Sequence, residues 1–146
     1  MIRNNVSFRH PAAFVRLSEE DGILAASGAI WFRDLLKRVP SLEVNDELCQ
    51  EEWGVVVFVE RHQKRFWIGL SLGLDVEDGS RLAHIHHASF AWLQRLSSGG
   101  RKELQRLIGD VHALLAAEPA VSDIRWFREA DMRRPEPPGL SSPDKP

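Results

Sequence analysis

The sequence holds a single cysteine, no tyrosine and no long apolar run among its 146 residues. The lone thiol, Cys49, excludes an internal disulfide and is typical of a reducing compartment. Runs of apolar residues such as Val55 to Val59 are far shorter than the roughly 20 residues that a membrane helix needs. The amino terminus also lacks the apolar core of a signal peptide. These absences predict a cytoplasmic protein without a membrane span.

The chain also lacks an excess of basic residues, with 19 basic against 21 acidic side chains and a formal net charge of −2. Binding to phosphate backbones needs a concentrated positive surface, so we expect no nucleic-acid partner. No Gly-x-Gly-x-x-Gly, Walker loop or Gly-x-Ser-x-Gly signature is present. We therefore expect no cofactor, and the sequence favours a binding protein over an enzyme.

Length and composition predict one domain over residues 1–132, followed by a proline-rich tail over residues 133–146. The tail contains five prolines, and Leu140 is its one apolar side chain. Such a segment buries too little surface to offset the entropy lost on ordering. We therefore expect the tail to be mobile in isolation.

Hydrophobic alternation predicts a β-hairpin in the middle of the chain. Gly54 to Glu60 is an apolar strand, Phe66 to Leu72 alternates with period two, and the polar turn Arg61 to Lys64 joins them. Arg81 to His87 indicates a third strand, which Ser89 to Leu96 either extends or follows as a short helix. Shorter strands are predicted at Val6–Phe8, Phe14–Leu17 and Val121–Phe127.

Two amphipathic helices complete the predicted fold. Apolar residues from Leu104 to Leu115 lie on one face of a helix over Arg101 to Ala117, which ends before Pro119. An earlier helix runs from Ala29 to Val39. The order β-β-α-β-β-β-α-β, with tight strand connections, predicts an α+β two-layer sandwich. Its mostly antiparallel sheet has the Val55 to Val59 run near its centre and both helices packed on it.

The segment His84-Ile85-His86-His87 is the first candidate for chemistry. On a strand, His84 and His86 point to one face and His87 to the other. Two such imidazoles can chelate a metal if a third ligand arrives, for which the candidates are Glu51, Glu52, His62 and Cys49. The competing interpretation is a pair of surface or structural histidines, since no complete ligand signature is present.

Acidic residues form the second candidate. Glu43, Asp46, Glu47, Glu51 and Glu52 come without a base between them, and Asp75, Glu77 and Asp78 form another acidic loop. Such runs are usually solvated loops, but they could also meet a partner with a basic surface. Carboxylates next to a thiol disfavour the thiolate form, so we do not expect Cys49 to act as a nucleophile.

Tryptophan is the third candidate, with five residues in the chain. Most are expected to fill the core between helices and sheet. Trp67 is the expected exception, because alternation places it on the face opposite Phe66 and Ile68. If the helices cover the Phe66 face, Trp67 marks an open face, with His84 or His87 as a possible neighbour.

Three segments carry a resemblance to a known group of proteins. They are Cys49-Gln50-Glu51-Glu52-Trp53-Gly54, the hairpin ending Arg65-Phe66-Trp67-Ile68-Gly69, and the closing helix, proline and strand through Ile124-Arg125-Trp126. Over roughly Leu48 to Phe127 the chain resembles small bacterial α+β domains of unassigned function, some of which are immunity proteins in polymorphic toxin systems. The resemblance implies a cytoplasmic binding protein and brings no catalytic motif.

The sequence therefore predicts a non-enzymatic protein-binding module. An immunity-like protein is one form that such a module could take. The expected binding residues are Glu51, Glu52, Trp67, Asp75, Glu77 and Asp78. One alternative is a metal-dependent enzyme that uses His84 and His86, and another is a homodimer that pairs its open sheet faces.

Overall fold

The structure, a computed structural model, describes residues 2–10, 28–72, 80–88, 97–135 and 137–144. Within them the chain forms six strands, two α-helices and a short 3₁₀ helix. In chain order these are β1 (Asn5–Arg9), α1 (Ala29–Leu36), β2 (Glu43–Glu51), β3 (Gly54–Arg61), β4 (Lys64–Leu72), β5 (Ser80–His87), α2 (Ser98–Ala117), β6 (Ser122–Phe127) and the 3₁₀ helix (Glu129–Arg133).

The strands form one antiparallel sheet in the order β2-β3-β4-β5-β1-β6. Strands β2 to β5 follow one another as a meander, and the amino-terminal strand β1 lies between β5 and β6. The predicted α+β class, the antiparallel sheet and the two amphipathic helices are confirmed. The central hairpin is confirmed as well, since Val57 pairs with Ile68 and Val59 with Phe66.

Both helices pack on one face of this sheet. Val55, Val57 and Val59 of β3 are buried there together with Phe32 of α1 and Leu107 of α2. Burying these apolar side chains is the main source of stability, at about 1.5–3 kcal/mol for each large one. Because side chains alternate along a strand, residues 56, 58, 67, 69, 84 and 86 point to the opposite, open face.

Strand β2 corrects the sequence interpretation, which assigned the acidic stretch Glu43 to Glu52 to a loop. Val44 pairs with Val59 and Leu48 with Val57, so three residues of β2 bulge opposite Phe58. The bulge separates the two core-facing residues by four positions, and the strand signal of period two is lost. The order of the described elements is therefore β-α-β-β-β-β-α-β, and β3 is the second strand from the edge.

The predicted strand Phe14–Leu17, the acidic loop with Asp75, Glu77 and Asp78, and the segment Ser89–Leu96 lie outside the described residues.

A buried ion-pair cluster joins the end of β3 to α2. The Arg61 guanidinium donates from Nε to Glu103 Oε2 at 3.1 Å and from Nη1 to Asp110 Oδ2. Burial raises the pKa of the Glu103 carboxyl, but Arg106 and Arg61 outweigh it and leave that pKa below its usual value. Arg61 is 6% exposed, so loss of both carboxylates would leave an uncompensated buried charge.

The carboxyl-terminal tail lies against the outer edge of β6. Trp126 N donates to Leu140 O at 2.7 Å, and Leu140 N donates back to Trp126 O at 3.0 Å. Arg3 Nη1 donates to Pro143 O at 3.5 Å. The tail therefore occupies the β6 edge, while its mobility in isolation stays a prediction. None of the helices in the described ranges has the length and apolar character needed to cross a bilayer.

Candidate binding surface on the open sheet face

A row of rings crosses the open face of the sheet. Phe58 of β3 pairs with Trp67 of β4, which pairs with His86 of β5. The Trp67 and His86 rings are stacked, with centroids 4.6 Å apart and an interplanar angle of 21°. Phe58 is 39% exposed, an unusual fraction for a large apolar side chain inside a sheet.

Trp53, in the turn between β2 and β3, folds back over the same face. Its ring centroid lies 6.2 Å from that of Trp67 and 6.2 Å from that of His84. It lies above Gly69, where a Cβ would come within 2.7 Å of Trp53 Cζ3 and 2.9 Å of Trp67 Cζ3. Glycine at position 69 thus makes room for the indole, which stays 45% exposed. We call Trp53, Phe58, Trp67, His84 and His86 the aromatic patch.

Polar side chains hold the two histidines of the aromatic patch in place. His84 Nδ1 donates to Asn5 Oδ1, and its Nε2 lies 3.5 Å from Ser71 Oγ. Asn4 Nδ2 lies 3.5 Å from His86 Nδ1 and donates to Ile85 O at 3.1 Å. These polar partners orient both imidazoles, so that His84 packs against the Trp53 indole and His86 against the Trp67 indole.

The pKa of the His84 imidazole is lowered from its usual value of 6.5. Burial is the main cause, the nearby His86 adds to it, and the Glu129 carboxylate opposes it. The protonated form of His84 is therefore disfavoured, which lowers the positive charge that this ring adds to the aromatic patch.

The predicted separation of the histidines is confirmed. His84 and His86 share the open face, whereas His87 is buried on the helix-covered face with its ring 5.1 Å from that of Phe66. Among the described residues no group of three histidine, cysteine or carboxylate side chains is placed to hold a metal ion. His84 and His86 meet asparagine and serine partners instead of Cys49, Glu51, Glu52 or His62.

An acidic strand borders the aromatic patch. Glu51 pairs with Gly54 and shares the open face, and Cys49, opposite Val56, is exposed on that face. Asp46 is bound by Lys37, and this hydrogen bond is the main reason why the pKa of Asp46 is lowered. The other carboxylates are exposed and form no ion pair within the described part of the chain; we call Glu43, Glu47, Glu51 and Glu52 the acidic strand.

The structure brings together three of the six binding residues predicted from sequence. Trp67 lies within the aromatic patch, and Glu51 and Glu52 lie at its border. Asp75, Glu77 and Asp78 lie outside the described residues. Sequence reasoning missed Trp53 and Phe58 as surface residues, because a turn side chain has no alternation to follow and Phe58 belongs to an apolar run. The sequence feature that could have indicated the position of Trp53 is Gly69, because a glycine inside an otherwise regular strand often marks a site where another group approaches closely.

Comparison with protein-family models, with curated protein sequences and with solved structures finds no match for this chain. The resemblance to immunity-like bacterial domains stays a prediction. The function of this surface is therefore argued from its own geometry and charge.

Proposed function

We propose that this protein is a non-enzymatic binding module that docks a protein partner with a basic surface onto the aromatic patch and the acidic strand. The observation that carries the proposal is the exposure of two large apolar side chains, Trp53 and Phe58, on the face bordered by carboxylates that form no ion pair with any described residue. Exposed apolar patches with a polar rim are typical of interaction surfaces.

The aromatic patch supplies the features of a binding hot spot. Tryptophan side chains dominate the energy of many protein interfaces because they bury a large area with few rotatable bonds. Trp53 and Trp67 are held by neighbouring rings and by Gly69, so little conformational freedom remains to be lost on binding. Contact with a partner would remove water from both indoles.

The acidic strand supplies charge complementarity. Four exposed carboxylates along one sheet edge attract a basic surface and accelerate its encounter, an effect that salt weakens. Pairing of two β2 edges would place these carboxylates against each other, which disfavours a second copy at this edge. An immunity-like role, in which the partner is a toxin, would be one form of this function.

The lone cysteine permits a direct test. Cys49 lies on the open face, so a benzophenone maleimide attached to it samples whatever docks on the aromatic patch. In extract of the protein's own cells we expect a crosslinked peptide of net positive charge, from a single partner. The adduct should decrease in high salt and disappear in a Trp53→Ala, Phe58→Ala variant that stays folded by circular dichroism.

The matched control moves the reagent to the other side of the molecule. Gln105 is exposed on α2, so a Cys49→Ser, Gln105→Cys variant carries the same label away from the open face. The same adduct from that variant would contradict the proposal. An adduct with a second copy, an adduct with an acidic or neutral segment, or the absence of any adduct would also contradict it.

A further inference from the structure

The exposed indole of Trp53 presents a planar surface that the rest of the aromatic patch does not fill. Its inner side rests over Gly69, and Trp67 and His84 flank it at centroid distances of 6.2 Å. Nearly half of the side chain still contacts solvent. A flat group can therefore stack on Trp53 without displacing any described residue.

Two carboxylates immediately precede this indole. Glu51 lies on the open face, and Glu52 shares the two-residue turn with Trp53. Neither forms an ion pair in the described ranges, whereas Glu60 on the same face accepts from Arg65 at 2.9 Å. Two further arginines of the described residues on this face are engaged as well, since Arg9 and Arg125 meet Asp123.

An indole beside carboxylates selects one chemical group above others. A guanidinium is planar, stacks on an aromatic face and donates a fork of hydrogen bonds to a carboxylate. A lysine ammonium carries the same charge but is compact and strongly hydrated, so it gains less from the flat surface. The carboxylates alone would select only for positive charge, and the indole adds the selection for a planar cation.

We infer that Trp53, Glu51 and Glu52 bind an arginine side chain of the partner. This inference rests on the proposed function, whose basic partner it specifies as one that presents arginine in an exposed segment. The guanidinium stacks on the outer side of the Trp53 indole and donates to the two carboxylates.

Blocked tripeptides test the inference without the natural partner. The probe is acetyl-Gly-Arg-Gly-amide, compared with the same peptides containing lysine or citrulline, in titrations of ¹⁵N-labelled protein. The Trp53 indole resonance, assigned with a Trp53→Phe variant, should shift saturably with the arginine peptide in the millimolar range. We expect binding about fivefold weaker with lysine, because its hydrated ammonium gains less from the flat indole, and no shift with citrulline, which carries no charge.

Matched variants locate the site. A Glu51→Gln, Glu52→Gln variant should bind the arginine peptide markedly more weakly, while Glu43→Gln, Glu47→Gln removes the same charge further along β2 and should bind it as the unmodified protein does. A Trp53→Leu variant, followed through the Gly54 amide, should no longer distinguish arginine from lysine. Equal binding of both peptides to the unmodified protein, or shifts confined to residues away from Trp53, would overturn the inference.

The two proposals fail separately. A crosslinked partner segment that is basic but contains no arginine would leave the proposed function standing and overturn the arginine site. A selective shift of Trp53 with the arginine peptide, together with no partner adduct at Cys49, would support the arginine site and contradict the protein-binding function.

Discussion

His84 is one of the half-buried members of the aromatic patch. It supports Trp53 from the side and is held by Asn5 and Ser71. Unfolded, the imidazole takes up a proton near its usual pKa of 6.5, whereas the folded protein binds that proton only at lower pH. The stability that follows from this difference is fully present above pH 6.5 and is lost as the pH falls toward the folded pKa.

We therefore predict that the free energy of unfolding decreases on acidification, by at most about 1.4 kcal/mol per pH unit from this group. Urea denaturation between about pH 7.5 and pH 5 measures it. A His84→Gln variant is the control, because it removes this titration and leaves the others. The same pH dependence in both proteins would show that His84 does not contribute.

Alternation along strands was sufficient to predict which residues share a face. It placed His84 and His86 on one face and His87 on the other, but it left open whether His84 or His87 would lie beside Trp67. In the structure His86 stacks on Trp67, and His87 is buried on the helix-covered face. Alternation could not place Trp53, because the orientation of a turn side chain depends on the space that neighbouring strand residues leave free. Gly69 leaves that room, and the consequence is visible only in three dimensions.

At the scale of elements, the β3–β4 turn combines a regular hairpin with strained residues. His62 and Gln63 occupy the two central positions with φ of 50° and 62°, which a type I′ turn requires at both. Side chains with a Cβ are disfavoured there, and glycine is preferred at the second position. The backbone strain of the turn therefore destabilises the hairpin locally, and the pairing of β3 with β4 outweighs this strain.

We expect Gln63→Gly to raise the free energy of unfolding by about 0.5–1 kcal/mol, because glycine adopts positive φ without a steric penalty. Urea denaturation checks the value. Gln63→Ala is the matched control, since it also removes the side chain but keeps the Cβ, and it should bring no gain. A loss of stability in the glycine variant would mean that the contacts of the Gln63 side chain outweigh the strain.

The elements were predictable from sequence where their hydrophobic period was regular. Helix α2 and strand β4 repeat their apolar residues at the spacing of helix and strand, and the predicted positions of both are confirmed. Strand β3 was recognised from its continuous apolar run, and β5 is confirmed as the strand that follows the hairpin. Strand β2 was not predictable, because the bulge at Asn45 to Glu47 interrupts its period and five carboxylates in ten residues resemble a loop. Its pairing with β3 overrides the local preference.

At the scale of the whole molecule, the two edges of the sheet are protected by different means. The β6 edge is covered by the tail through Leu140, and the β2 edge carries the acidic strand and a bulge. Both devices disfavour edge-to-edge association. The fold class was predictable from length and pattern, but these edges were not, because they depend on which strands end up outermost.

A chain that ends at Arg134 tests the role of the tail. We predict a free energy of unfolding lower by about 1 kcal/mol, since two backbone hydrogen bonds to Trp126 are lost, and a tendency to associate through the uncovered β6 edge. Urea denaturation and sedimentation velocity measure the two effects. The control ends at Asp144 and keeps Leu140 and Pro143. Equal stability of both chains would support the mobile tail that composition predicts.

The buried guanidinium of Arg61 has a consequence for how the protein opens locally. Its two carboxylate partners, Glu103 and Asp110, lie seven residues apart, which is two turns of α2. Unfolding of the α2 turns that carry Glu103 and Asp110 would leave the Arg61 guanidinium without a carboxylate partner among the described residues, so opening of these turns is coupled to opening of the hairpin tip. Amide protons in these two turns and at the end of β3 should exchange with solvent in a single cooperative event.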